Sequence, residues 1–148
     1  MILNPVVYGG KDLGPFSDLK HIGHVDYTSS NWSQGDSSFS LEIDEPWVSE
    51  NIGKKVVVYG LYAGAYYDGM VPAFKKSKLG VATADITFWG NSGSTGVYFQ
   101  MMGYVSWRVD DNILKIDIRN AFIENNPNES VKHSGNCVYL SLDFYLVE

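Results

Sequence analysis

The chain has 148 residues, a formal net charge of −6, 45% hydrophobic and 14% aromatic residues, and a single cysteine, Cys137. This length fits one domain, residues 1–148, whose folding buries roughly 70% of the surface an extended chain exposes, and its aromatic content favours strands and argues against disorder. The charge excludes a sequence-independent grip on nucleic acid, the lone cysteine excludes an intrachain disulfide and a zinc knuckle, and no run approaches the about 18 apolar residues of a membrane span.

The first ten residues lack a basic segment followed by a long apolar run, so no signal peptide is expected, and Ile2 to Tyr8 reads as a weak strand. Gly9, Gly10 and Gly14 have the spacing of a phosphate loop, but Pro15 stands where its lysine belongs, which leaves a turn. A second weak strand is expected over Ile22 to Thr28. His21 and His24, three apart in an extended segment, project to opposite faces, while His24 and Asp26 share one; two ligands without a third make no metal site. Phe39, Leu41 and Ile43 then alternate with Ser40, Glu42 and Asp44, the period-two pattern of a strand with one buried face.

Lys55 to Tyr62 and Val81 to Phe88 are rich in β-branched and aromatic residues and read as further strands. A long alternation from Val97 to Val109 meets Asp110-Asp111-Asn112, then Leu114, Ile116 and Ile118 set against Lys115, Asp117 and Arg119. Asp and Asn tolerate the turn conformations that close such a hairpin. Cys137 opens the last strand, where Val138, Leu140, Leu142, Phe144 and Leu146 alternate with Tyr139, Ser141, Asp143, Tyr145 and Val147. Each of these alternating strands is expected to have a wet side, which favours antiparallel sheets. About eight strands result, and the expected fold is all-β: an antiparallel, jelly-roll-like β-sandwich. Leu114, Ile116, Ile118, Leu140, Leu142 and Phe144 are the expected core, with Cys137 a small packing residue.

Loops are expected at Ser29 to Ser38, Gly64 to Gly80, Trp89 to Gly96 and Glu124 to Asn136, with Lys75, Lys76 and Lys78 in a solvated turn. The 64–80 and 89–96 loops flank one strand and so leave the sandwich at opposite ends unless the longer loop folds back. Catalytic motifs are few. Gly90-Asn91-Ser92-Gly93-Ser94 ends in the wrong residue for a nucleophile elbow, and no cofactor motif is present. Glu42, Asp85, Asp117 and Asp143 occupy polar sides of strands and supply the paired carboxylates of a jelly-roll glycoside hydrolase, the enzymatic alternative. On the plainer reading they are a solvated face partnered by Arg108, Lys115 and Arg119. A recognition surface is placed on Tyr66, Tyr67 and Trp89 with Asp68, Asn91 and Ser92, because a sugar ring needs a flat aromatic beside polar groups. Tyr98, Tyr104, Tyr139 and Tyr145 are expected to face outward, where self-association would cover them.

Leu3 to Gly10, Gly103 to Ile116 (Gly-Tyr-Val-Ser-Trp-Arg-Val-Asp-Asp-Asn-Ile-Leu-Lys-Ile) and Leu142 to Glu148 (Leu-Asp-Phe-Tyr-Leu-Val-Glu) resemble segments of the small β-sandwich proteins that bacteriophages attach to their virions, such as tail-fibre, baseplate or head-fibre modules. The resemblance implies a non-enzymatic structural or receptor-binding role in the virion, often as a homotrimer beside other virion proteins and sometimes against a cell-surface glycan. Carbohydrate-binding modules are similar in placing an acidic-aliphatic strand at the end of a jelly roll, and supply the alternative reading.

Overall fold

In the computed structural model residues 7–8, 11–12, 18–29, 39–64, 70–94, 97–125, 130–134 and 137–147 are described, with side chains at 18–29, 39–64, 70–90, 101–120 and 137–147. Period-two patterning becomes strand along nearly all of this length. β1 (Val7–Tyr8) and β2 (Lys11–Asp12) pair with each other. They are followed by β3 (Lys20–Thr28), β4 (Phe39–Ile43), the one-turn helix α1 (Pro46–Ser49), β5 (Lys55–Gly64), β6 (Val71–Lys78), β7 (Ala84–Ser94), β8 (Val97–Asp110), β9 (Ile113–Asn125), β10 (Ser130–Ser134) and β11 (Cys137–Leu146). Sheet I has the order β3-β11-β5-β6, and sheet II runs β9-β8-β7 with β4 and β10 sharing the other edge of β9. β4 lies opposite Leu114 to Ile118, and β10 opposite Ala121 to Asn125. Each sheet is thus four positions wide and antiparallel, the expected sandwich of about eight strands. In sheet II the order β4-β9-β8-β7 is that of a Greek key, and in sheet I the long strand β3 pairs with the last strand, β11.

The expected core residues Leu114, Ile116, Ile118, Leu140, Leu142 and Phe144 are all fully buried between the sheets, with Val56, Val58, Tyr62, Phe88, Val105 and Trp107. Each such side chain contributes about 1.5–3 kcal/mol by leaving water. Close packing also dictates two glycines. Trp47 of α1, tilted against Phe144 at 5.2 Å, lies over Gly23, where a Cβ would collide with the indole. Gly103 lies under the Tyr62 ring, itself stacked on Phe88 at 5.1 Å. The β8–β9 hairpin closes as expected, with Asp111 and Asn112 at φ 51° and 65°, the two positive-φ residues of a type I′ turn.

Several expectations need correction. β11 has no wet side: it is central in sheet I, between β3 and β5, and a second apolar cluster of Val57, Tyr59, Leu61 and Tyr145, with Leu19 and Tyr139 against it, forms on the outer face of that sheet. Ser141 and Asp143 are buried there too. Tyr145 is consequently covered within the chain and Tyr139 half-buried, whereas Tyr104 is exposed; the Tyr98 side chain lies outside those described. Segment 64–80 is not one loop, because Gly64 ends β5 and the eight residues of β6 run from Val71 to Lys78. Lys75, Lys76 and Lys78 line an edge strand along with Pro72, residue types that stop a free edge from pairing with another chain.

β6 instead carries the chain back along sheet I, the fold-back alternative, so that β5 and β7 end, at Gly64 and Ser94, toward the same end of the sandwich. Gly64 accordingly abuts Met101, which pairs with Gly90. Finally, 89–94 continues β7, and the expected loop from Glu124 to Asn136 contains the end of β9 and all of β10. Of the loop expected at Ser29 to Ser38, residues 30–38 lie outside those described.

Candidate functional site

Alternation in sheet II sends Ile86, Phe88, Val105, Trp107, Ile116 and Ile118 inward, so the residues between them form one open outer face. Register sets its rows. Asp85 of β7 faces Ser106 of β8, which faces Asp117 of β9, which faces Ser40 of β4; the next row is Thr87, Tyr104 and Arg119. The Ser40 hydroxyl donates to Asp117 Oδ1 at 2.6 Å and Arg108 Nη1 donates to its Oδ2 at 2.9 Å. Arg108 Nε also reaches Asp110 at 3.2 Å, which Lys115 approaches at 3.8 Å. Tyr104 Oη donates to Asp85 Oδ2 at 3.0 Å, and Lys75 lies 3.8 Å from the same carboxylate.

These bonds set the protonation states. The Ser40 hydroxyl, seconded by the Arg108 guanidinium, holds the Asp117 carboxyl below its ordinary value despite partial desolvation. The bond to Asp85 pushes the Tyr104 phenol up, and the Asp117 bond does the same to Arg108. At neutral pH the face therefore carries fixed charges and no proton donor at Asp117.

A groove of about 480 Å³ opens on this face, lined by Phe39, Ser40, Tyr104, Ser106, Asp117, Ile118 and Arg119. Its position follows from the β9 edge: β4 reaches only to Ile118 and β10 begins only at Ala121, so neither pairs with Arg119 or Asn120. Beside it stand Trp89 and Tyr104, 54% and 38% exposed. Trp89 is two residues along β7 from Thr87, the partner of Tyr104, which makes the two rings diagonal neighbours about 7–8 Å apart at the backbone.

Of the residues expected to bind a ligand, Trp89 lies on this face, on a strand and not in a loop. The backbones of Asn91 and Ser92 are in β7 but their side chains lie outside those described, as do Tyr66, Tyr67 and Asp68 entirely. Tyr104, Ser106, Asp117 and Arg119 were readable only as the polar side of a strand; their convergence depends on register across four strands. Glu42, Asp85 and Asp117 share the outer face of sheet II, whereas Asp143 is on sheet I and cannot join them. Asp85 and Asp117 are separated by two strand spacings, about 10 Å at the backbone.

Asp143 belongs to a different arrangement. It is fully buried on the outer face of sheet I, where its Oδ1 lies 2.8 Å from both His21 Nε2 and His24 Nδ1. The expectation that these histidines face opposite ways fails because of a β-bulge: His21 pairs with Tyr145 and Gly23 with Phe144, leaving Ile22 extra. A bulge shifts the pleat by one residue, and both rings therefore fall on one side. The imidazoles converge on a single oxygen, and His21 also packs edge-on to Tyr145 at 5.2 Å, an arrangement that fastens β3 to β11. Among the described residues no group of three or more His, Cys, Asp or Glu is arranged to hold a metal ion. Cys137 is buried, with desolvation pushing its thiol up to about 12, so it is neutral at physiological pH.

No family model, curated protein or solved structure matches this chain.

Proposed function

We propose that this chain is a non-enzymatic adhesive module, of the kind phage virions carry, that binds a cell-surface saccharide on the outer face of sheet II. The observation that carries the reading is the pair of exposed rings, Trp89 and Tyr104, beside a groove of polar side chains already held by Ser40–Asp117, Arg108–Asp117 and Tyr104–Asp85 bonds. A sugar presents an apolar ring face and a rim of hydroxyls, which such a surface matches at small entropic cost because its groups are already ordered. The groove volume lies within the range of small-ligand sites. The same surface would serve a free-standing carbohydrate-binding module, and oligomeric state separates the two. A trimer, beside other virion proteins, fits the virion role; its support is the resemblance, since Tyr145 needs no second subunit to cover it. Against a glycosidase using Asp85 with Asp117 stands their separation by two strand spacings.

Glycan-array and bacterial-surface binding, compared among wild type, Trp89→Ala and Tyr104→Ala, tests the site. Each variant should lose about 5- to 100-fold in affinity, consistent with about 1–3 kcal/mol for a stacked ring contact. Full retention by both would remove the face from recognition, and a monomer in multi-angle light scattering at high concentration would favour the free-standing module.

A further inference from the structure

The charges on the outer face of sheet II are not equally engaged. Asp117 is held by Arg108, Asp110 by Arg108 and Lys115, and Asp85 by Lys75 and the Tyr104 hydroxyl. Arg119 is different: among the described residues no carboxylate lies within 4.0 Å of it. Yet it is in the groove lining, directly across from Tyr104 on β8 and two residues along β9 from Asp117 on the same face, which sets it between the aromatic and acidic walls. Glu42, also without a cation within 4.0 Å among the described residues, lies two residues on from Ser40 and outside the lining. Among the described residues, then, the groove lining holds one positive charge without a carboxylate partner and no negative charge without a cation.

An exposed guanidinium presents a planar fork of donors whose best partner is a carboxylate taken by two parallel bonds. Because Arg108 and Ser40 already neutralise Asp117, an incoming anion meets little repulsion inside the groove, although the chain as a whole is acidic. We infer that the saccharide is acidic, with the carboxylate of a hexuronate or sialate-type unit seated on Arg119 and its ring against Tyr104; this rests on the saccharide reading above. Asp117 and Ser106 then face the ring hydroxyls, with Asp117 able only to accept.

The test is calorimetric titration of an acidic oligosaccharide and of the same oligosaccharide with its carboxyls reduced to alcohols, against wild type, Arg119→Gln and Arg119→Lys. Wild type should bind the acidic form about 10- to 100-fold more tightly, the span expected of a charge-assisted pair. Arg119→Gln should lose the preference, binding the acidic and reduced ligands alike, and Arg119→Lys should keep part of it. Raising the salt from low to high ionic strength should weaken only the acidic ligand. Equal affinity of wild type for both ligands would overturn the inference while leaving the saccharide reading intact, and needs no variant to fold. An acid preference that survives in Arg119→Gln would overturn the role of Arg119. Competition by acetate at the same concentrations as the oligosaccharide would show a simple carboxylate site and overturn the sugar's part in it. Binding of neither ligand by wild type would remove both the inference and the reading beneath it.

Discussion

Gly103→Ala probes how closely the two sheets approach behind the proposed site. The added methyl would lie 2.5 Å from two ring carbons of Tyr62, which is fully buried, stacked on Phe88 and hydrogen-bonded through its hydroxyl to Asn120 Oδ1 at 2.8 Å. Relieving the contact means moving the ring by about 1 Å, which disturbs both the stack and the bond. Overpacking of this kind costs about 1–3 kcal/mol, and a buried hydroxyl separated from its acceptor adds about 1–3 kcal/mol. In the opposite direction, Ala is worth about 0.5–1 kcal/mol over Gly in a strand by reducing unfolded-state freedom. The balance is a loss of about 2–4 kcal/mol, so even the sign is diagnostic. Urea unfolding followed by tryptophan fluorescence would measure it, and the same substitution in a Tyr62→Phe background should cost about 1 kcal/mol less, because no hydroxyl is left to strand. A neutral or stabilised Gly103→Ala protein would refute the inter-sheet contact.

Asp143→Asn should destabilise by about 2–4 kcal/mol in urea melts, since it replaces the carboxyl group on which both imidazoles converge and buries an amide NH2 in place of Oδ2, which has no partner among the described residues; a loss under about 0.5 kcal/mol would mean the bulge does not hold β3 to β11. Cys137 should react with thiol reagents only slowly at neutral pH and rapidly once denaturant is added, given its burial and raised pKa; fast labelling of native protein would revive a nucleophilic role. Because the folded-state pKa of Asp117 lies below the ordinary 3.8, its stabilising contribution is complete above that value and lost as pH falls through the lower folded one. Carboxyl titration by NMR should show this midpoint below 3.8 and Ser40→Ala raising it; an unmoved midpoint would reject the hydroxyl as the main cause.

Where one strand face is wet, the sequence was legible to the residue: β4 and β9 alternate as written, and Asp111 and Asn112 turn the hairpin. β11 alternates just as clearly, yet both its faces are dry, because Tyr139, Ser141, Asp143 and Tyr145 are polar enough to pass for a surface while being covered by pairing partners distant in sequence. β6 was missed because its Pro72 and three lysines carry loop composition, which an edge strand shares. At the proposed site only the chemistry of Trp89 singles it out in the sequence. Arg119 and Asp117 were seen only as charges, since nothing local shows that β4 ends at Ile118 and leaves a gap before β10. The paired orientation of His21 and His24 was hidden by a bulge, which one inserted residue produces without changing composition.

The placement of β11 in the middle of sheet I bears on the order of assembly. Sheet II contains a β7-β8-β9 meander whose neighbours are consecutive, so it closes short loops and can form early in the nascent chain. Sheet I cannot: β3 and β5 both pair with β11 and not with each other. Until the last strand emerges, the unpaired edge of β5, a nearly unbroken apolar run from Val56 to Ala63, stays open to partners from other chains. Sheet I thus closes only once β11 is available, and chains stalled before Cys137 are the ones that keep this edge open.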